Sequence, residues 1–112
     1  MTTIDADLTP LEQLAFPFIQ AAVRIDSAKQ NPADREALVA VLDSTVAMWM
    51  FYKNYLGQNF SAVPEETKQM LVQLTDFTTK AAVFLRDNPD EGLLDRLIQL
   101  NLNMSEQILR TK

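Results

Sequence analysis

Residues 88–109 read Asn88-Pro89-Asp90-Glu91-Gly92-Leu93-Leu94-Asp95-Arg96-Leu97-Ile98-Gln99-Leu100-Asn101-Leu102-Asn103-Met104-Ser105-Glu106-Gln107-Ile108-Leu109, and this stretch decides the fold class. A side chain able to accept a hydrogen bond comes first. A proline follows, with φ already near the helical value and no N–H to lose. Two carboxylates then stand beside the positive end of the helix dipole. Behind this start signal, Leu93, Leu97, Leu100, Met104 and Ile108 recur at helical spacing. A stripe of that kind must be buried against other helices.

The same grammar opens three more segments. Thr9-Pro10-Leu11-Glu12 and Asn31-Pro32-Ala33-Asp34 repeat the order of cap, proline and acid. The Thr9/Glu12 and Asn88/Glu91 spacings match capping boxes. Ser61-Ala62-Val63-Pro64-Glu65-Glu66 supplies a fourth start, with Val63 a poor cap. Helix one then carries Leu11, Leu14, Phe18, Ala22 and Ile25. Helix two, from about Pro32 to Leu56, carries Leu38, Leu42, Trp49, Tyr52 and Leu56, with Gly57 as its C-terminal cap. Helix three, from about Pro64 to Arg86, carries Leu71, Leu74, Phe77, Ala81 and Phe84. Pro17 falls inside helix one, where a lost hydrogen bond and a clash cost roughly 3 kcal/mol, so a kink or restart is predicted there. The expected fold is all-α: a small antiparallel bundle of about four helices, the first kinked at Pro17, with residues 1–8 a flexible N-terminus and 9–112 a single domain.

Composition narrows the function. The 112 residues are 47% hydrophobic with two glycines, enough for one helical core. The chain has neither Cys nor His. It therefore lacks a thiolate, an imidazole base and the usual zinc ligands, leaving carboxylates, Lys, Tyr and hydroxyls for any chemistry. A net charge of -5, with cations interleaved among the acids, gives no footprint for nucleic acid or anionic lipid. The polar, acidic N-terminus is unlike a secretory signal, and no apolar run reaches the ~20 residues of a membrane span. The expectation is a cytoplasmic, non-enzymatic protein with no cofactor, no metal, no nucleic-acid partner and no membrane partner. The acids Asp87, Asp90, Glu91 and Asp95 read as electrostatics at the start of helix four, not as a metal site.

Helix two is apolar nearly all round between Val46 and Tyr52. One reading buries this belt among two neighbouring helices and helix one; the other leaves part of it for a partner. Trp49 is assigned to the core, on the face of Leu42 and Tyr52. Met48, Met50, Phe51 and Tyr52 are the candidate partner-binding residues, methionine being adaptable at interfaces. Asn101 lies among Leu97, Ile98 and Met104, and burying it without a partner would cost roughly 1 to 3 kcal/mol, so a bond to a neighbouring helix is expected. Asp43 reads as a residue on a solvated face.

The order and spacing of these residues resemble a known family. Asp43 is followed six residues later by Trp49; Val63-Pro64-Glu65-Glu66 opens a helix with Leu71, Leu74 and Phe77; and helix four reads Leu97-Ile98-Gln99-Leu100-Asn101 with Met104. From about Glu36 to Leu109 this succession is similar to the FlaF family of flagellar regulators. The chain departs from the pattern at Ser44-Thr45-Val46-Ala47, where members often carry polar or basic residues. The resemblance implies structural roles for Asp43, Trp49, Pro64, Phe77 and Asn101. It also implies a flagellin-binding regulator and secretion chaperone that couples flagellin supply to flagellum assembly, its partner being flagellin or the terminal helical segments of flagellin. The competing classes are a helical-bundle adaptor or chaperone for another protein client, and an enzyme or small-ligand carrier, which would need converging charges with shifted pKa values.

Overall fold

The computed structural model describes residues 9–59 and 64–110, the side chains of residues 56–59 excepted. These residues form α1 (Pro10–Lys29), α2 (Arg35–Asn59), α3 (Glu65–Asp87) and α4 (Glu91–Arg110). The chain is all-α, as its periodicity predicts, with no strand among the described residues.

Thr9 opens α1 with a complete capping box: its backbone N–H donates to Glu12 Oε1 at 2.8 Å and its hydroxyl accepts from the Glu12 N–H at 3.2 Å. The two Asn-Pro segments behave differently from expectation. The Asp34 carboxylate, not Asn31, accepts from the Ala37 N–H at 3.0 Å, and α2 starts at Arg35 instead of Pro32. Asp90, not Asn88, accepts from the Leu93 N–H at 3.1 Å and starts α4. Each asparagine closes the preceding helix instead: Asn31 Nδ2 donates to the Ser27 carbonyl at 3.0 Å and Asn88 Nδ2 to the Phe84 carbonyl at 3.3 Å. A charged oxygen is the stronger acceptor for helix-start N–H groups, and an amide can donate to the carbonyls left at a helix end.

Of the two alternatives at Pro17, the restart does not occur: α1 runs without a break from Pro10 to Lys29. Two further expectations need correction. Gly57 does not terminate α2, which runs two residues past it to Asn59. Phe84, placed on the buried stripe of helix three, is 49% exposed, while its neighbour Leu85 is fully buried. The buried face of α3 is Thr67, Leu71, Thr75, Thr78, Ala82 and Leu85, together with Ala81. Three threonines read as polar in the sequence, so the stripe looked rotated toward the phenylalanines. The flexible N-terminus over residues 1–8, the Ser61–Val63 cap and the Leu56 side chain lie outside the described residues.

The helices pair in sequence order around a ring, α1 with α2, α2 with α3, α3 with α4 and α4 with α1, the tightest pairs being α1 with α4 and α2 with α3. Opposite ends meet. Lys29 at the end of α1 bonds Asp95 near the start of α4, while Ala15 and Phe18 near the start of α1 share a cluster with Met104 and Ile108. Ile25, Leu38, Leu42, Leu85, Leu94 and Leu97 form a second core cluster at the other end.

Candidate functional site

Trp49 stands where the four helices converge. It is fully buried, and its indole Nε1–H donates to Asn101 Oδ1 of α4 at 2.9 Å. Asn101 is likewise fully buried and spends its own N–H on the Leu97 carbonyl at 2.7 Å. From α1 the Phe18 ring meets the indole edge-on, centroids 5.0 Å apart, and from α3 the Thr75 hydroxyl reaches the Trp49 carbonyl at 3.4 Å. One aromatic side chain, its hydrogen-bonding partner and its own carbonyl thus touch α1, α3 and α4 from α2. This constellation is buried and organises the core; it offers no surface.

The surface lies two residues further along α2. Phe51 is 56% exposed and Met50 43%. Phe51 stacks on Tyr55, centroids 5.5 Å apart and planes 11° from parallel, and meets Tyr52 edge-on at 5.1 Å. Tyr52 is half-buried and leans on Phe18 at 5.2 Å. Burial disfavours its phenolate and raises its pKa above the ordinary tyrosine value, with the neighbouring Tyr55 adding a smaller push in the same direction. Phe51, Tyr52 and Tyr55 form one wall of a groove of about 460 Å³ whose other wall is Pro10, Leu11, Gln13 and Leu14 at the start of α1.

Of the four sequence-predicted partner-binding residues, Phe51 and Tyr52 line this groove and Met50 is exposed outside its lining. Met48 is half-buried against the Trp49 cluster and lines a smaller gap beside Pro17. Sequence reasoning missed Tyr55 and the whole α1 wall. The i, i+4 spacing of Phe51 and Tyr55 was the available signal for the first; the second depends on how α1 crosses α2, which no periodicity encodes.

The remaining named residues are placed as follows. Asp43 is exposed on α2 and accepts from Arg86 of α3, while Arg35 donates to the Arg86 carbonyl. Pro64 is exposed in front of α3 without a side-chain cap. Phe77 is half-buried against the Leu42 and Leu97 cluster. Asp90 caps α4 and Asp95 binds Lys29 at 2.6 Å, so these two acids have separate duties. Among the described residues no three carboxylates are grouped to hold a metal, and no helix is long and apolar enough to cross a membrane.

A sequence model of one family, described as the flagellar protein FlaF, matches residues 9–107. No curated protein and no solved structure matches the chain. The match reaches into every helix and covers both walls of the aromatic groove.

Proposed function

Because the chain belongs to the FlaF family and is a flagellar protein, we propose that it is a non-catalytic, cytoplasmic binding protein for flagellin, acting as a secretion chaperone and regulator that couples flagellin supply to filament assembly. The observation that carries this reading is the groove between the start of α1 and the end of α2. Its lining is mostly apolar, rimmed by exposed Phe51 and Tyr55, and of a size suited to apolar side chains from one face of a helix. A soluble domain keeps such aromatic surface uncovered when another molecule covers it for part of its life. Exported subunits that polymerise through helical ends carry matching apolar stripes, and covering them before assembly prevents premature association.

Calorimetric titration of purified flagellin, and separately of its terminal helical segments, into this protein tests the proposal. Saturable binding is expected. Phe51→Ala should weaken it by about tenfold, as truncation of an aromatic anchor does. Val23→Ser, a change at an equally exposed apolar residue on α1 outside the groove lining, should leave it intact. Absence of binding to flagellin and to its segments overturns the reading in favour of another protein client.

A further inference from the structure

The ring of helices has two tight seams, α1 with α4 and α2 with α3, and two looser ones. The aromatic groove occupies one loose seam. The other, between α3 and α4, holds a groove of about 540 Å³ lined by Met70, Leu74 and Phe77 on one side and Arg96, Gln99, Leu100 and Asn103 on the other. It follows from which face α3 turns inward. With Thr75, Thr78 and Leu85 turned to the core, Met70, Leu74 and Phe77 are left half-buried at the edge. Half-exposed Phe84, seven residues beyond Phe77, prolongs that wall along the same face of α3.

The chemistry of the two walls differs. The α3 wall is wholly apolar, whereas α4 contributes a polar rim in which Gln99 Nε2 donates to Asn103 Oδ1 at 3.1 Å. Arg96 supplies the lining's one charge, and that charge is positive in a chain whose net charge is -5. Lys29, Lys80 and Arg86 are held in ion pairs by Asp95, Asp76 and Asp43. Arg96, like Arg24, Arg35, Lys53, Lys68 and Arg110, forms no ion pair among the described residues, and of these six only Arg96 stands in the lining of this groove. An apolar wall about two turns long, flanked by a guanidinium without an ion pair and two side-chain amides, complements an amphipathic helix that carries a carboxylate beside its apolar stripe.

We infer that the α3–α4 seam is a second docking surface, for an acidic amphipathic helix of a partner protein. It shares no helix with the aromatic groove, so both surfaces can be occupied at once. The protein then acts as a bridge between two partners, a role that stands independently of what fills the first groove.

The probe is a synthetic amphipathic helix of roughly 18 residues with leucines along one face and glutamates flanking them, paired with a twin in which lysine replaces every glutamate. Binding is followed by calorimetry and by amide chemical shifts of the full chain. The glutamate peptide should shift resonances of residues 70–77 and 96–103. It should bind about fivefold tighter than the lysine twin at low salt, with the gap closing as salt rises. Arg96→Glu, a change at an exposed site that leaves the core untouched, should reverse the order of the two peptides. Phe51→Ala should change neither affinity, which keeps this result separate from the flagellin test. Equal or tighter binding of the lysine twin to the native protein overturns the inference, as does absence of binding or shifts confined to α1 and α2. A dimer in sedimentation equilibrium that Phe77→Ser dissociates also overturns it, by assigning the seam to a second copy of the chain.

Discussion

At the scale of single residues the most consequential bond is the one from Trp49 to Asn101. Both partners are fully buried, so removing one leaves the other's polar atom dry and unpaired. Asn101→Leu should destabilise the fold by about 1 to 3 kcal/mol in urea denaturation, despite adding apolar volume to a core position. In the background of Trp49→Phe, which deletes the N–H, the same change should cost clearly less, and the double-mutant cycle should show coupling between the two sites. Additive losses would mean that the bond itself contributes nothing. Tyr52 and Lys29 each contribute to the pH dependence of stability on the alkaline side. The Lys29 pKa is raised chiefly by the hydrogen bond to Asp95, and that of Tyr52 chiefly by burial. In both cases the folded state binds the proton more tightly than the unfolded chain, so stability is unaffected near neutrality and declines as pH climbs beyond about 10. Tyr52→Phe removes the tyrosine part of that decline, and thermal melts of the two proteins at alkaline pH should show a shallower fall for the variant.

At the scale of elements, the turns between helices show what sequence spacing conveys and where it stops. The Thr9 box was legible because its two members cap one another locally. The segment from Asn31 to Asp34 contains two candidate caps, and proline at the first helical position favoured the asparagine; the carboxylate takes the role because it is the better acceptor. The substitutions separate cleanly. Asp34→Ala should cost about 1 kcal/mol of unfolding free energy through the start of α2, whereas Asn31→Ala should act through the end of α1 and cost less. Equal losses at the two positions would contradict the assignment. The face of α3 was misread for a related reason. A threonine whose hydroxyl is satisfied by backbone carbonyls, as that of Thr75 is by Leu71 of its own helix at 2.7 Å and by Trp49 of α2 at 3.4 Å, can sit in a core. From the identity of the residue alone, it counts as polar. For the candidate site, the α2 wall was legible from the excess of apolar residues around Phe51, while the opposing α1 wall and the whole α3–α4 groove depend on helix crossing.

At the scale of the molecule, the exposed polar ties between helices gather at one end, apart from the buried bonds around Trp49. Lys29 with Asp95, Arg86 with Asp43 and Arg35 with the Arg86 carbonyl all lie where α1 and α3 finish and α2 and α4 begin. They are exposed and individually weak, and their contribution is to fix the neighbours' alignment more than to add stability. The aromatic groove lies toward the opposite end, between the start of α1 and the last part of α2. A binding surface far from the charged clasps can adjust to a client without breaking them. The single tryptophan of the chain, seated where four helices meet, has a further consequence. The molecule carries one indole fluorophore, whose emission depends on all four rods being assembled together. Its wavelength registers the integrity of the whole bundle in a single optical signal, and a client held on either outer furrow leaves that signal in place while the bundle endures.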